Sequence, residues 1–103
     1  MEDEYWLDDN GRNVIKCCRR YERGLKEIKV IYASWDGEKW KDLVTFDLSH
    51  GQAPHRDLRY LDIKDKRRKK TYVGMSLEEF FNEAVDDIYQ NWRKYRDEAK
   101  VKH

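Results

Sequence analysis

The chain has 103 residues, 42% of them charged and 39% apolar, and a formal net charge of only +1. That length suits a single domain over 1–103, and four Trp, seven Tyr and three Phe supply the large side chains of a small core, which excludes a disordered chain. No apolar run approaches the roughly 18 residues of a membrane span, and the acidic start Met1-Glu2-Asp3-Glu4 lacks the apolar stretch of a secretion signal, so a cytoplasmic protein with no membrane association is expected.

Residues 1–12 read as a polar arm. The first ten carry five acids and no base, with Tyr5, Trp6 and Leu7 as an anchor and Asp9-Asn10-Gly11 as a turn. Residues 13–74 read as an antiparallel sheet. Its first strand spans Val14–Tyr21, with Ile15, Cys17 and Tyr21 sharing a face and Arg19 the exception; Gly24 ends it. Leu25–Trp35 is rich in β-branched and aromatic residues on both parities, which suits a central strand with both faces partly covered. Asp36-Gly37 is a hairpin signal, and Trp40, Val44, Phe46 and Leu48 alternate with polar residues on the way back. After a loop at 49–54, a strand is expected at His55–Ile63, then a basic turn at Lys64–Lys70 and a short strand at Lys70–Val73.

Residues 75–103 read as a C-terminal helix and tail. Leu77, Phe80, Phe81, Ala84, Val85, Ile88, Trp92, Tyr95 and Ala99 recur every three or four residues, one apolar stripe at the helical period. Ser76 with Glu79 makes a capping box. A helix of this length measures about 36 Å, at about 1.5 Å per residue. The expected fold is α+β: an antiparallel meander of four to five strands with one long C-terminal helix packed across one face.

Two cysteines, Cys17 and Cys18, are adjacent. Neighbouring cysteines are poorly placed to bridge each other, and the pair lacks zinc-ligand spacing, so reduced thiols and no cofactor are expected. Two other stretches carry chemistry. Asp47, Ser49, His50, His55, Arg56 and Asp57 gather two of the three histidines around a loop containing Gly51 and Pro54. Two imidazoles can act as base and acid near neutral pH, and an arginine can stabilise a phosphorane, so RNA cleavage without a metal is one reading. His50, His55 and a carboxylate holding a divalent metal is another. The plainer alternative is structural, with the histidines bracing a loop and Arg56 and Asp57 pairing across strands. The second stretch, Lys64, Lys66, Arg67, Arg68, Lys69 and Lys70, puts six bases in seven residues. It suits a phosphate backbone, with Tyr60 and Tyr72 near enough to stack on bases, or a solubilising turn.

The segments Val44–Gly51, Pro54–Asp57 and Asn82–Arg96 resemble a family of short, uncharacterised prokaryotic proteins with a D-x-x-H-G…H-R-D loop and an N-W-x-x-Y-R helix, over roughly residues 25–98. More distantly, the loop is similar to the histidine centres of small toxins from toxin–antitoxin systems. That likeness implies a catalytic set of Asp47, His50, His55, Arg56 and Asp57, RNA as substrate and an antitoxin-like protein partner. The contrasting expectation is a non-catalytic interaction module or homodimer that uses exposed aromatics or a free sheet edge.

Overall fold

A computed structural model describes residues 2–49 and 53–101, with Leu25 and Lys26 described by their backbone alone. Six strands form one sheet: β1 (Glu2–Trp6), β2 (Asn13–Tyr21), β3 (Leu25–Trp35), β4 (Trp40–Leu48), β5 (His55–Leu58) and β6 (Lys69–Thr71). Each pairs antiparallel with the next, in the order β1-β2-β3-β4-β5-β6. A single helix, α1 (Leu77–Ala99), follows. The meander and its helix are those expected, with six strands in place of four or five.

The β3–β4 hairpin forms where Asp36-Gly37 predicts it. The Asp36 carboxylate accepts from the amides of Glu38 and Lys39 at 2.8 and 2.9 Å, and Gly37 takes a φ of 101°, which a side chain would resist. The capping box also forms: Ser76 Oγ accepts from Glu79 N at 3.2 Å, and Glu79 Oε1 accepts from Ser76 N at 3.1 Å. At the other end Lys100 closes the helix in the left-handed region.

The helix packs on β3 and β4. The covered face of the sheet presents Ile15, Cys17, Ile28, Val30, Tyr32, Val44, Phe46, Leu48 and Leu58, all buried. Phe80, Ala84, Ile88, Trp92 and Tyr95 meet it from α1. Full burial of a side chain of the Phe or Ile class contributes about 1.5–3 kcal/mol, so this contact dominates the apolar stabilisation. Phe46, Tyr72 and Phe80 form an aromatic trio with ring centroids 5.5–6.1 Å apart. The opposite face of the sheet carries no second layer among the described residues.

Four expectations need correction. Residues 2–6, read as part of an arm, are an edge strand. Tyr5 pairs with Ile15 and Trp6 with Val14, while Arg19 reaches Asp3 at 3.8 Å and stacks over the Phe81 ring at 4.6 Å. An edge strand needs one hydrogen-bonding neighbour and little burial, so its acidic composition hides it. Tyr21 is exposed and does not share the buried face of Ile15 and Cys17, because the register shifts between Arg20 and Tyr21. The strand at His55–Ile63 stops at Leu58. Asp62 and Asp65 accept from the amides of Lys64 and Arg67 and fold the chain into tight turns instead. Finally, the short strand expected over Lys70–Val73 runs Lys69–Thr71, so Lys69, read as part of the basic turn, lies in β6.

Among the described residues no helix is long and apolar enough to cross a membrane.

Candidate functional site

Strand alternation sorts the residues around the β4–β5 loop. Asp47 pairs with His55 across β4 and β5, and Thr45 pairs with Asp57; these four side chains share the uncovered face. His55 lies 3.5 Å from Asp57, measured from Nε2 to Oδ2, and its Nδ1 is 3.1 Å from the carbonyl oxygen of Ala53. With Nδ1 donating to that carbonyl, Nε2 is turned toward the Asp57 carboxylate. Its side chain is 12% exposed, which leaves little of the ring open to a substrate in this arrangement. The imidazole braces the loop entry. His50 lies outside the described residues, and with it any pairing of the two histidines, whether as acid and base or as metal ligands. Among the described residues no three His, Cys, Asp or Glu side chains are grouped to hold a metal ion.

Arg56 is turned the other way. It pairs with Phe46 and Lys70 on the face that α1 covers, and its Nη2 donates to the carbonyl of Arg67 at 3.1 Å. Its guanidinium lies close enough to Tyr60, Tyr72 and Tyr95 to act on their ionisation. Burial nevertheless pushes all three phenols up. For Tyr60 a hydrogen bond to Glu98 at 2.6 Å adds to the effect, and for Tyr95 one to Asp87 does so. The structure brings Asp47, His55 and Asp57 together and separates Arg56 from them.

The basic run is divided as well. Lys64 and Lys66 are exposed in the turn. Arg67 is held by Asp65 at 2.8 Å, and Arg68 Nη1 donates to the carbonyl of Leu61 at 2.6 Å, closing the turn from within. Lys69 projects on the uncovered face opposite Asp57, and Lys70 on the covered side, 5.0 Å from the Tyr72 ring centroid. The histidine loop enters β5 at His55 and the basic turn leaves it at Leu58, so the two lie at opposite ends of a short strand.

At the basic-turn end, elements remote in sequence converge. Trp40, Leu43, Arg59, Tyr60, Ala99 and Val101 line an open groove of about 750 Å³, together with Asp36, Lys39, Lys41, Asp42 and Lys100. The two acids are already matched, Asp36 by Lys41 at 3.1 Å and Asp42 by Lys16 at 3.5 Å. Two amides and then Lys41 hold the Asp36 carboxyl down to about 2. Lys39, Arg59 and Lys100 have no ion-pair partner among the described residues. Two aromatics and three unmatched cations in one open groove can accept an anion that carries flat rings. Sequence reading missed this groove, although Lys39-Trp40-Lys41 shows an aromatic between two bases.

No curated protein and no solved structure matches the chain. One family model does, over residues 1–103, and the chain belongs to that family, a domain of unknown function, DUF7718.

Proposed function

We propose that this chain binds single-stranded RNA at the end of the sheet where the β3–β4 hairpin, the β5–β6 turn and the C-terminus of α1 meet. The observation that carries the reading is the groove there. Trp40 and Tyr60 line it, and among the described residues no carboxylate neutralises Lys39, Arg59 or Lys100. Lys64 and Lys66, exposed on the adjoining turn, extend the positive surface. Such a surface gains affinity by releasing counterions from phosphates, and its aromatics accept any base. The proposal is of binding and not of toxin-like cleavage, because the His55 ring is largely buried with Nδ1 held by the Ala53 carbonyl, and Arg56 lies on the opposite face of the sheet.

Fluorescence anisotropy with a labelled RNA strand tests this. Affinity is expected to fall with rising salt, and replacing Lys39, Arg59 and Lys100 by Gln is expected to flatten the slope by about 0.7 for each phosphate no longer neutralised. Absence of binding at low salt, or an affinity indifferent to salt, ends the reading.

A second reading, self-association through β1, is favoured by one observation. Between this edge strand and α1 runs a cleft of about 210 Å³, lined by Tyr5, Ile15, Cys17, Phe81, Val85 and Tyr89, with Asp3 and Arg19 at its margin. Sedimentation across a range of concentrations decides it. A dimer that Tyr89→Glu disperses supports the reading, and a monomer throughout rejects it.

A further inference from the structure

Trp6, Trp35 and Trp40 stand together on the uncovered face. The β3–β4 hairpin sets Trp35 directly opposite Trp40, with ring centroids 5.6 Å apart. Trp6 comes from β1, which is not a neighbour of β4, yet its ring lies 6.0 Å from that of Trp40 at an interplanar angle of 34°. It can do so because the residues between them in the ladder, Val14 and Ala33, are small and buried. Gly11 packs beside the indole, where a Cβ would sit in ordinary contact 3.9 Å from Cζ3 and Cη2, and its φ of 66° is one that side chains rarely adopt.

Trp6 is 61% exposed and Trp40 42%. Indoles are usually placed to bury a large area, and exposed apolar clusters mark interaction sites. The patch is aromatic and not aliphatic, which offers flat faces for stacking. Beside it lies a shallow recess of about 330 Å³, lined by Asn10, Gly11, Arg12, Trp35 and Trp40. The Arg12 side chain has no ion-pair partner among the described residues, while its backbone is fixed by the Asp8 carboxylate at 3.1 Å. Trp40 belongs to both this recess and the cationic groove, so the two surfaces are continuous around one indole.

We infer that the Trp6–Trp35–Trp40 cluster is a base-stacking platform, onto which a single RNA strand turns out of the cationic groove. This rests on the RNA-binding reading and deepens it. Bases stack on the exposed faces of Trp6 and Trp40, while phosphates run past Arg12, Lys39 and Arg59. The chemistry favours this occupant over two others. A neutral sugar would stack on indoles but has no use for the unmatched cations, and an apolar peptide would find no aliphatic pocket between the rings.

Two ligands separate the platform from the groove: an oligoadenylate of about 12 nucleotides, within the usual span of such sites, and an abasic ribose–phosphate strand of equal length. Titrated into the full chain, the oligoadenylate is expected to quench tryptophan emission and to bind about tenfold or more tighter than the abasic strand, as one stacked base supplies. Trp6→Ala is expected to remove that advantage and leave abasic binding unchanged. Trp6→Tyr, which keeps a stacking face, is expected to restore much of it, and unaltered far-UV circular dichroism shows that both variants fold. Equal affinity for the two strands, or a Trp6→Ala variant that binds oligoadenylate as the parent does, overturns the platform while leaving RNA binding by the groove intact. If neither strand binds at low salt, the RNA reading itself has failed. Quenching by a neutral oligosaccharide without any by oligoadenylate overturns the platform in favour of carbohydrate.

Discussion

His55 and Arg56 are adjacent in sequence and serve opposite faces of the sheet. The imidazole sits with Asp57 on the open side, and the guanidinium lies under α1, where it donates to the carbonyl of Arg67. A one-residue step along a strand reverses the side chain, so a site that needs both groups on one substrate cannot be built from this pair. Each group instead ties down one end of β5. His55→Ala and Arg56→Ala are each expected to lower stability by about 1–3 kcal/mol, the cost of stripping a partner from a partly buried polar group, without changing RNA affinity. Urea denaturation alongside RNA anisotropy checks both halves. Lost affinity with unchanged stability in Arg56→Ala would instead bring the guanidinium to the ligand.

The helix stripe makes a second prediction, because its centre and its flank differ. Phe80 is fully buried, within 6.1 Å of Phe46 and 5.5 Å of Tyr72 by ring centroid, whereas Phe81 lies at the margin beneath Arg19. Phe80→Ala is expected to cost about 3–5 kcal/mol through its cavity, and Phe81→Ala about 1–2. Equal losses in a denaturation series would mean that the helix is rotated about its axis from the arrangement described.

How much of this was legible in the sequence follows from the range over which each signal acts. The β3–β4 hairpin rests on Asp36-Gly37, and the start of α1 on Ser76 and Glu79; each is settled within four residues, and each forms as read. The shortening of β5 was also written locally, in Asp62 and Asp65, whose carboxylates seed turns, but the apolar Leu61 and Ile63 concealed it. The face occupied by Arg56 depends on register against Phe46 and Lys70, which no neighbouring residue encodes. The groove is harder still, since residues 39–43, 59–60 and 99–101 meet only once the meander and helix are assembled.

A buried polar network gives a third prediction. Asn13 is fully buried; its Oδ1 accepts from Tyr32 Oη at 2.6 Å and Ser34 Oγ at 2.8 Å, while its Nδ2 donates to Asp8 Oδ2 at 2.8 Å. One amide thus joins the β1–β2 loop to the middle of the sheet. Asn13→Ala strands two hydroxyls and is expected to cost at least about 2 kcal/mol, since each buried group left unpaired costs about 1–3. In a double-mutant cycle with Tyr32→Phe the two losses are expected to be less than additive. Full additivity would show that the phenol and the amide do not depend on each other.

The tyrosines supply the last prediction, in alkali. Burial pushes Tyr32 up to about 12, a rise that its Ser34 contact and Arg96 only partly offset. Tyr60, Tyr72 and Tyr95 are raised too, each first by burial, with Glu98 adding for Tyr60 and Asp87 for Tyr72 and Tyr95. In the unfolded chain each phenol titrates near its ordinary value of about 10. Below that value both states hold the proton, and stability is full. Above it the unfolded chain releases protons that the folded chain keeps, so unfolding becomes easier as pH climbs toward the folded values. Each such phenol contributes a slope of up to about 1.4 kcal/mol per pH unit. Stability measured by urea denaturation is therefore expected to be level just below pH 10 as far as these groups are concerned, and to fall steeply between about 10 and 12. Tyr95→Phe removes one titrating group and is expected to make that fall shallower by up to one proton's slope, although the variant starts from a lower plateau for want of the Asp87 hydrogen bond. A parent protein whose stability is indifferent to pH across this window, or a Tyr95→Phe variant that falls as steeply as the parent, would show that these phenols ionise as freely in the folded chain as in the unfolded one.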